Sequence, residues 1–225
     1  MNTSEQRVLY EDDWILVVDK PAGIIVHGDG TGVETLSDCV RGLLANRGEN
    51  ASELQPLQRL DRETTGIVLF SKRKETQAAF DALIAERHIE KHYLAIVRGH
   101  FPEMPQTFRS PIGRDRHDSH RMRVSRTGKP ALTKAQLLAF SPANNAGPTR
   151  SLLSVDLLTG RKHQIRVHLS HAGFPILGDN LYSRLHVSGG LMLHAFEERF
   201  EHPVTGKSIV IHAPYPKRFK PLFPR

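Results

Sequence analysis

Two segments combine residue types that can do chemistry. The first is Leu57-Gln58-Arg59-Leu60-Asp61-Arg62-Glu63-Thr64-Thr65-Gly66-Ile67-Val68-Leu69-Phe70, where polar and charged groups stand immediately before an apolar run. The run reads as a buried strand, so the charged residues fall at the rim of a sheet. There a loop can present the Asp61 carboxylate to a ligand while the strand holds it rigid. The competing reading pairs Asp61 with Arg59 or Arg62 in a surface turn. The second segment is Thr159-Gly160-Arg161-Lys162-His163-Gln164-Ile165-Arg166-Val167-His168. Cations near a helix start oppose the helix dipole, so Arg161, Lys162 or Arg166 calls for a specific anionic partner. The bland alternative is a basic surface helix.

Other chemistries find little support. The chain has 13 histidines, but neither the His88/His92 pair nor His117/His120 is joined by a carboxylate at ligand spacing, and no His-Glu-x-x-His stretch occurs. No metal is expected. A serine nucleophile elbow is absent, and Gly28-Asp29-Gly30-Thr31-Gly32 lacks the lysine of a phosphate loop. Cys39 is the lone cysteine, which excludes an internal disulfide and argues against a Cys-rich zinc site.

The positioning elements follow from periodicity. Ile15–Val18 and Ile24–Val26 read as short strands around a Lys20-Pro21-Ala22-Gly23 turn. Residues 34–47 and 74–87 carry apolar stripes at helical spacing, through Leu36, Val40, Leu43 and Leu44, and through Ala79, Phe80, Leu83 and Ile84. Strands are expected at 66–70, 92–98, 132–140, 152–158, 191–196 and 208–213. A turn is expected at 144–148, and a helix at 161–172 with Gly173 as its C-terminal cap. Strands and helices mix without a βαβ rhythm. That predicts an α+β fold with a mixed, largely antiparallel central sheet flanked by helices.

The 225 residues suit one large domain or two small lobes sharing a core, and the composition is that of a soluble globular protein. The polar start has no signal-peptide pattern, and no apolar run approaches the roughly 18–20 residues of a membrane span. These features point to the cytoplasm and away from membranes. The formal charge of +7 favours a polyanion. Most of the excess sits in one stretch, where Arg109, Arg114, Arg116, Arg121, Arg123, Arg126, Lys129 and Lys134 are opposed only by Asp115 and Asp118. A charge run is equally compatible with a solvated face.

Taken together, these segments resemble the RluA-like family of RNA pseudouridine synthases. Its H-R-L-D-x-x-T-S-G pattern is matched by Gln58-Arg59-Leu60-Asp61-Arg62-Glu63-Thr64-Thr65-Gly66, with Gln58 in place of the usual His and Thr65 in place of Ser. Tyr10 to Asp13 with Asp19 to Gly23 resembles the family's entry. Lys91-His92-Tyr93-Leu94-Ala95 matches K-x-Y-x-A, and the second segment matches T-G-R-x-H-Q-I-R. Pro175-Ile176-Leu177-Gly178-Asp179 and Leu193-His194-Ala195 complete the series. The elements agree in order over about residues 9 to 214.

The resemblance implies a single catalytic domain over residues 1–225, in the short form without an S4 RNA-binding module. It implies isomerisation of uridine to pseudouridine in structured RNA, either large-subunit rRNA or tRNA. The N1–C1′ bond breaks and C5 joins C1′, with no redox change and hence no cofactor. Asp61 would be the catalytic carboxylate, either attacking C1′ or taking a 2′ proton to give a glycal. Arg166 would keep that carboxylate ionised and Tyr93 would stack on the uracil. The base must be flipped out of its helix, with Arg59 filling the space. Ile165 and Leu193 would close the pocket, His163 would join the substrate-binding set, and Arg114, Arg116 and Arg121 would grip phosphates. RNA is then the partner of a monomeric protein. Two other classes remain open: a non-catalytic RNA-binding or ribosome-assembly protein on the same fold, and a glycosidase. The latter ordinarily needs two carboxylates, whereas this motif offers Asp61 and Glu63.

Overall fold

A computed structural model of the protein describes residues 7–28, 30, 32–143, 148–183 and 189–223. The elements run in the order β1 (Val8–Glu11), β2 (Ile15–Lys20), α1 (Leu36–Asn46), β3 (Gln55–Pro56), β4 (Thr65–Ser71), α2 (Lys74–Ala85), β5 (Glu90–Arg98), β6 (Gln106–Phe108), β7 (Ile112–Arg114), β8 (Met122–Val124), β9 (Thr133–Ser141), β10 (Arg150–Leu157), α3 (Gln164–His171), β11 (Leu193–Glu201) and β12 (Ser208–His212). Largely antiparallel pairing with three helices places the fold in the α+β class expected. The turn expected at 144–148 lies almost wholly outside the described residues. No described helix is long and apolar enough to cross a membrane.

The chain divides into two units, Met1–Ile89 with Ala195–Pro214, and Glu90–His194 with Tyr215–Arg225. In the first, β4 is buried at all seven positions. It lies between β2 and β11, with β3 also pairing it and β12 on β11. Its glycine has a definite reason. Gly66 sits at φ +109, and a Cβ there would run into the carbonyl of Ala195, so only glycine lets β4 and β11 approach this closely. Helix α1 lays Leu36, Cys39, Val40 and Leu44 against Leu16, Val18, Val68 and Phe70. A capping box starts it: the Thr35 hydroxyl accepts from the Asp38 amide while the Asp38 carboxylate accepts from that of Thr35. Such a cap stabilises by about 1 kcal/mol.

One expected strand does not form. Ile24 and Val26 are buried as their apolarity requires, but their segment is irregular. Its carbonyls are already taken: Ile25 and Val26 accept from Leu36 and Ser37 at the start of α1, and Ile24 accepts from Lys20.

In the second unit β5, β10, β9 and β6 pair in that order, every pair antiparallel. Strands β7 and β8 form a separate hairpin, with Ile112 opposite Val124 and Arg114 opposite Met122. This hairpin lies inside the basic stretch, where charge masks the short apolar alternation, and periodicity did not forecast it. Ile112 packs with Ala131 and with Val167 of α3, joined by Met122, Val124 and Tyr182. Helix α3 is shorter than its pattern suggests, because His163 adopts a left-handed conformation at φ 58 and the helix starts at Gln164. It is no surface helix either, since Gln164 through Leu169 are all buried. Gly173, at φ +87, ends it as expected.

Candidate active site

Asp61 lies in the first unit, half-buried, in the short connection between β3 and β4. Its carbonyl accepts from the Thr64 amide at 3.0 Å, closing a tight turn. The next residue is anchored from three directions. The Gly23 amide and the Lys20 ammonium both donate to the Arg62 carbonyl at 2.9 Å, and Arg62 Nε donates back to the Gly23 carbonyl at 2.9 Å. Lys20 is fully buried, and its Nζ also donates to the carbonyls of Pro21 and Ile24 at 2.9 and 2.7 Å. A buried ammonium is costly unless its donors are used, so three carbonyl acceptors make Lys20 a rigid clamp. The turn expected at Lys20–Gly23 therefore fixes the backbone that bears Asp61.

Gln58 has a specific partner too. Its Nε2 donates at 2.8 Å to Glu198, a buried carboxylate on β11. The amide thus satisfies an interior acceptor, which gives the departure from the family's histidine a structural role. Arg59 is exposed, and with His27, Arg41 and Gln58 it lines an open groove of about 560 Å³. Glu63 is exposed.

The second unit carries Tyr93, Ile165, Arg166 and Leu193, each 5% exposed or less. Tyr93 sits in β5 opposite Val155 of β10. Leu193 opens β11, and its carbonyl accepts from Arg218 at 3.1 Å. Arg166 makes a bidentate pair with Asp179, Nε to Oδ2 and Nη2 to Oδ1, both at 2.8 Å. This geometry locks the guanidinium plane as well as its charge. Asp179 Oδ1 also accepts from the amides of Leu181 and Tyr182. Gly178, just before it, is at φ +73, and a Cβ there would strike the Gly190 carbonyl. Asp179 stood at the end of a quoted motif, yet sequence reasoning assigned it no role. Its signal was the Gly-Asp dipeptide at a turn.

Two polar residues of α3 reach outward to the neighbouring strands. Gln164 Nε2 donates to the Leu132 carbonyl and to Thr133 Oγ1. His168 lies with Nδ1 2.9 Å from Thr133 Oγ1 and Nε2 2.9 Å from the Ser110 carbonyl. A carbonyl can only accept, so the His168 proton sits on Nε2. Burial depresses its pKa, outweighing the Ser110 bond, and nearby His171 adds to the depression. Of the eight bases from Arg109 to Lys134, seven are exposed and Arg121 is half-buried. Arg114, Arg116 and Arg121 all lie on the β7–β8 hairpin or its connection. His163 meets the Tyr182 hydroxyl at 2.8 Å, and Tyr182 is another residue that sequence reasoning passed over.

Among the described residues no group of three His, Cys, Asp or Glu side chains could hold a metal. His88 lies beyond the end of α2, and His92, in β5, meets Asp156 at 2.7 Å, so the two do not share a helical face.

Comparison with known proteins adds context to this geometry. Residues 14–171 match the family model described as RNA pseudouridylate synthase. An uncharacterized RNA pseudouridine synthase, YhcT of Bacillus subtilis, is 36% identical over 97% of this chain and 71% of its own length. Ribosomal large subunit pseudouridine synthase C of Pasteurella multocida is 35% identical, over 97% of this chain and 67% of its own. Among solved structures, human RNA pseudouridylate synthase domain containing 1 superposes with a TM-score of 0.76 at 28% identity, covering 96% of this chain and 87% of its own.

Proposed function

The chain belongs to the RNA pseudouridylate synthase family, a family of isomerases, and we propose that it converts specific uridines of large-subunit rRNA to pseudouridine with Asp61 as the catalytic carboxylate. The observation that carries this reading is the 14–171 match, a span that includes Asp61, Tyr93 and Arg166. The name of the Pasteurella relative favours rRNA over tRNA as substrate. The proposed working unit is one catalytic domain over residues 1–225, acting as a monomer in the cytoplasm.

In the proposed reaction the target uridine leaves its stack, since C1′ is out of reach within a helix, and Arg59 takes its place. Asp61 then attacks C1′ or removes a 2′ proton. The glycosidic bond breaks, the uracil turns, and C5 bonds to C1′. As C5 bonds to C1′ the bond to Asp61 breaks, or in the glycal route the 2′ proton returns; the C5 proton is lost and N1 gains one, so the isomerisation balances. Tyr93 offers a flat face to the uracil. By the family pattern Arg166 is the charge that keeps the carboxylate ionised. Ile165 and Leu193 supply apolar walls that exclude water from the detached base. His163 contributes to substrate binding, while Arg114, Arg116 and Arg121 hold phosphates without reading sequence.

The test is direct. Purified protein is incubated with uridine-labelled large-subunit rRNA transcripts and with tRNA, and the nucleosides are separated. Pseudouridine in rRNA that disappears with Asp61→Asn is the expected result. Product only in tRNA moves the substrate, free uracil replaces the reading with a glycosidase, and binding without product leaves an RNA-binding protein.

A further inference from the structure

Tyr182 lies outside the segments assigned a part in the reaction, yet its contacts join two of them, the basic hairpin and the segment that carries His163 and Arg166. Its hydroxyl accepts from the Met122 amide, at the start of β8, at 2.7 Å. The phenol's own proton is then available to His163 Nδ1, 2.8 Å away. Its ring carries a guanidinium on each of two approaches, Arg121 at 5.3 Å and Arg166 at 5.2 Å from the centroid. The ring's negative faces attract both cations, which would otherwise repel each other. Arg121 Nε is buried with no hydrogen-bond partner among the described residues, so at that atom the ring is the contact the structure shows.

The backbone of Tyr182 is itself held in place. Its amide donates to Asp179 Oδ1 at 3.1 Å, and its carbonyl accepts from the Ser170 hydroxyl of α3 at 2.8 Å. It belongs to the small apolar cluster that seats the hairpin on Val167. The same Asp179 carboxylate holds the Arg166 fork. One side chain therefore bridges the basic hairpin, the strained His163 cap and Arg166, with no intermediary between them.

We infer that Tyr182 is a positioning residue that ties engagement of RNA by the β7–β8 hairpin to the placement of Arg166. The inference rests on the proposed function, with the hairpin as phosphate grip and Arg166 as catalytic charge. It divides the side chain into two arms. The hydroxyl holds the hairpin through Met122 and meets His163, and the ring holds the arginines.

Two variants separate the arms. Tyr182→Phe keeps the ring and loses the hydroxyl. Hydrogen exchange at the Met122 amide, read on the protein without RNA, should accelerate by about five- to tenfold, the worth of one hydrogen bond. KM for RNA should rise by a similar factor while kcat stays within about twofold, because the groups the hydroxyl holds, the hairpin and His163, belong to substrate binding. Tyr182→Leu should match it at Met122 and in addition lower kcat by at least about fivefold, as Arg166 loses its ring. Thermal melts set the folded fraction, so that turnover is expressed per folded molecule.

Unchanged Met122 exchange and KM in Tyr182→Phe overturn the inference. So does a kcat loss of equal size in both variants, which is what a merely structural tyrosine would show. A wild-type protein that makes no pseudouridine overturns the proposed function and the catalytic arm with it. The Met122 exchange still decides the hairpin anchor in that event, so the two failures are told apart.

Discussion

Around Asp61 the chain is held at its backbone carbonyls: those of Pro21, Ile24 and Arg62 converge on the buried Lys20 ammonium, and that of Gly23 accepts from the Arg62 side chain. Around Arg166 the partners are side chains and their charges, with Asp179 on one side and the Tyr182 ring on another. Anchors that fall on Lys20, Gly23 and Arg62 hold the loop at residues other than Asp61 itself. Anchoring through side chains makes the network itself vulnerable, because each member depends on the others being present. The first region should therefore lose activity without losing stability, and the second should lose both.

The largest effect on turnover is expected from Asp61→Asn. The anchors of its loop pass through Lys20, Gly23 and the backbone of Arg62, so folding and RNA affinity should stay close to wild type. Turnover should fall by at least roughly 10³-fold, since an amide can neither attack C1′ nor accept a proton as a carboxylate does. Single-turnover rates together with a thermal melt decide the matter. Residual turnover within about tenfold of wild type would end the assignment of Asp61.

Asp179→Asn should strike both properties. Breaking a buried ion pair by removing one charge costs about 3–5 kcal/mol. Denaturant titration should register that loss, and turnover should drop at saturating RNA because Arg166 is no longer held. Wild-type stability would mean that Arg166 is held adequately without the Asp179 charge, and the contrast between the two regions would fail.

A milder effect concerns the hairpin. Changing Arg114, Arg116 and Arg123, all exposed, to Gln should weaken RNA binding. It should also flatten the logarithmic salt dependence by about two units, from roughly 0.7 to 0.9 counterions released per phosphate contact. Turnover at saturating RNA should change far less. An unaltered salt slope would leave these arginines as a solvated face and shift attention to Lys217 and Arg218.

The smallest effect is a pH dependence. His168 has a folded pKa held below the ordinary 6.5 by burial. The unfolded chain therefore binds its proton more readily than the native one. This contribution to stability is complete above pH 6.5 and is lost as pH falls through the depressed folded value. Melting temperature should decline on going from pH 7.5 to 5, with lower hydrogen-exchange protection, corrected for the intrinsic rate, around Ser110, the carbonyl that His168 bonds. His168→Gln should be less stable at pH 7.5 and respond less to pH. An equal pH response in both proteins would remove His168 as its source.

Much of this organisation was legible in the residues. The apolar run 67–70, the stripe of α1 and the long strands of the second unit stand close to where periodicity put them, because each buries apolar positions; α2 forms as well, but of its stripe only Phe80 is buried and Ala79 is exposed. The place of Asp61 in the connection before β4 was legible because polar residues precede a buried strand. The β7–β8 hairpin was not, since three-residue strands among arginines carry too few alternations to register. Nor was the start of α3: nothing local announces that His163 turns left-handed, and Tyr182, 19 residues later, is the partner that meets its ring.

The sequence by itself determined the family, the α+β class, the location of the excess charge and the identity of the candidate carboxylate, all properties of residue type and short-range order. Tertiary structure alone decided which neighbours those residues answer to. Lys20 lies 42 residues from the carbonyl it clamps, Gln58 is 140 residues from Glu198, and Met122 is 60 from the Tyr182 hydroxyl. Hydrogen bonds and ion pairs act over a few ångströms and are indifferent to separation along the chain, so only folding could reveal them.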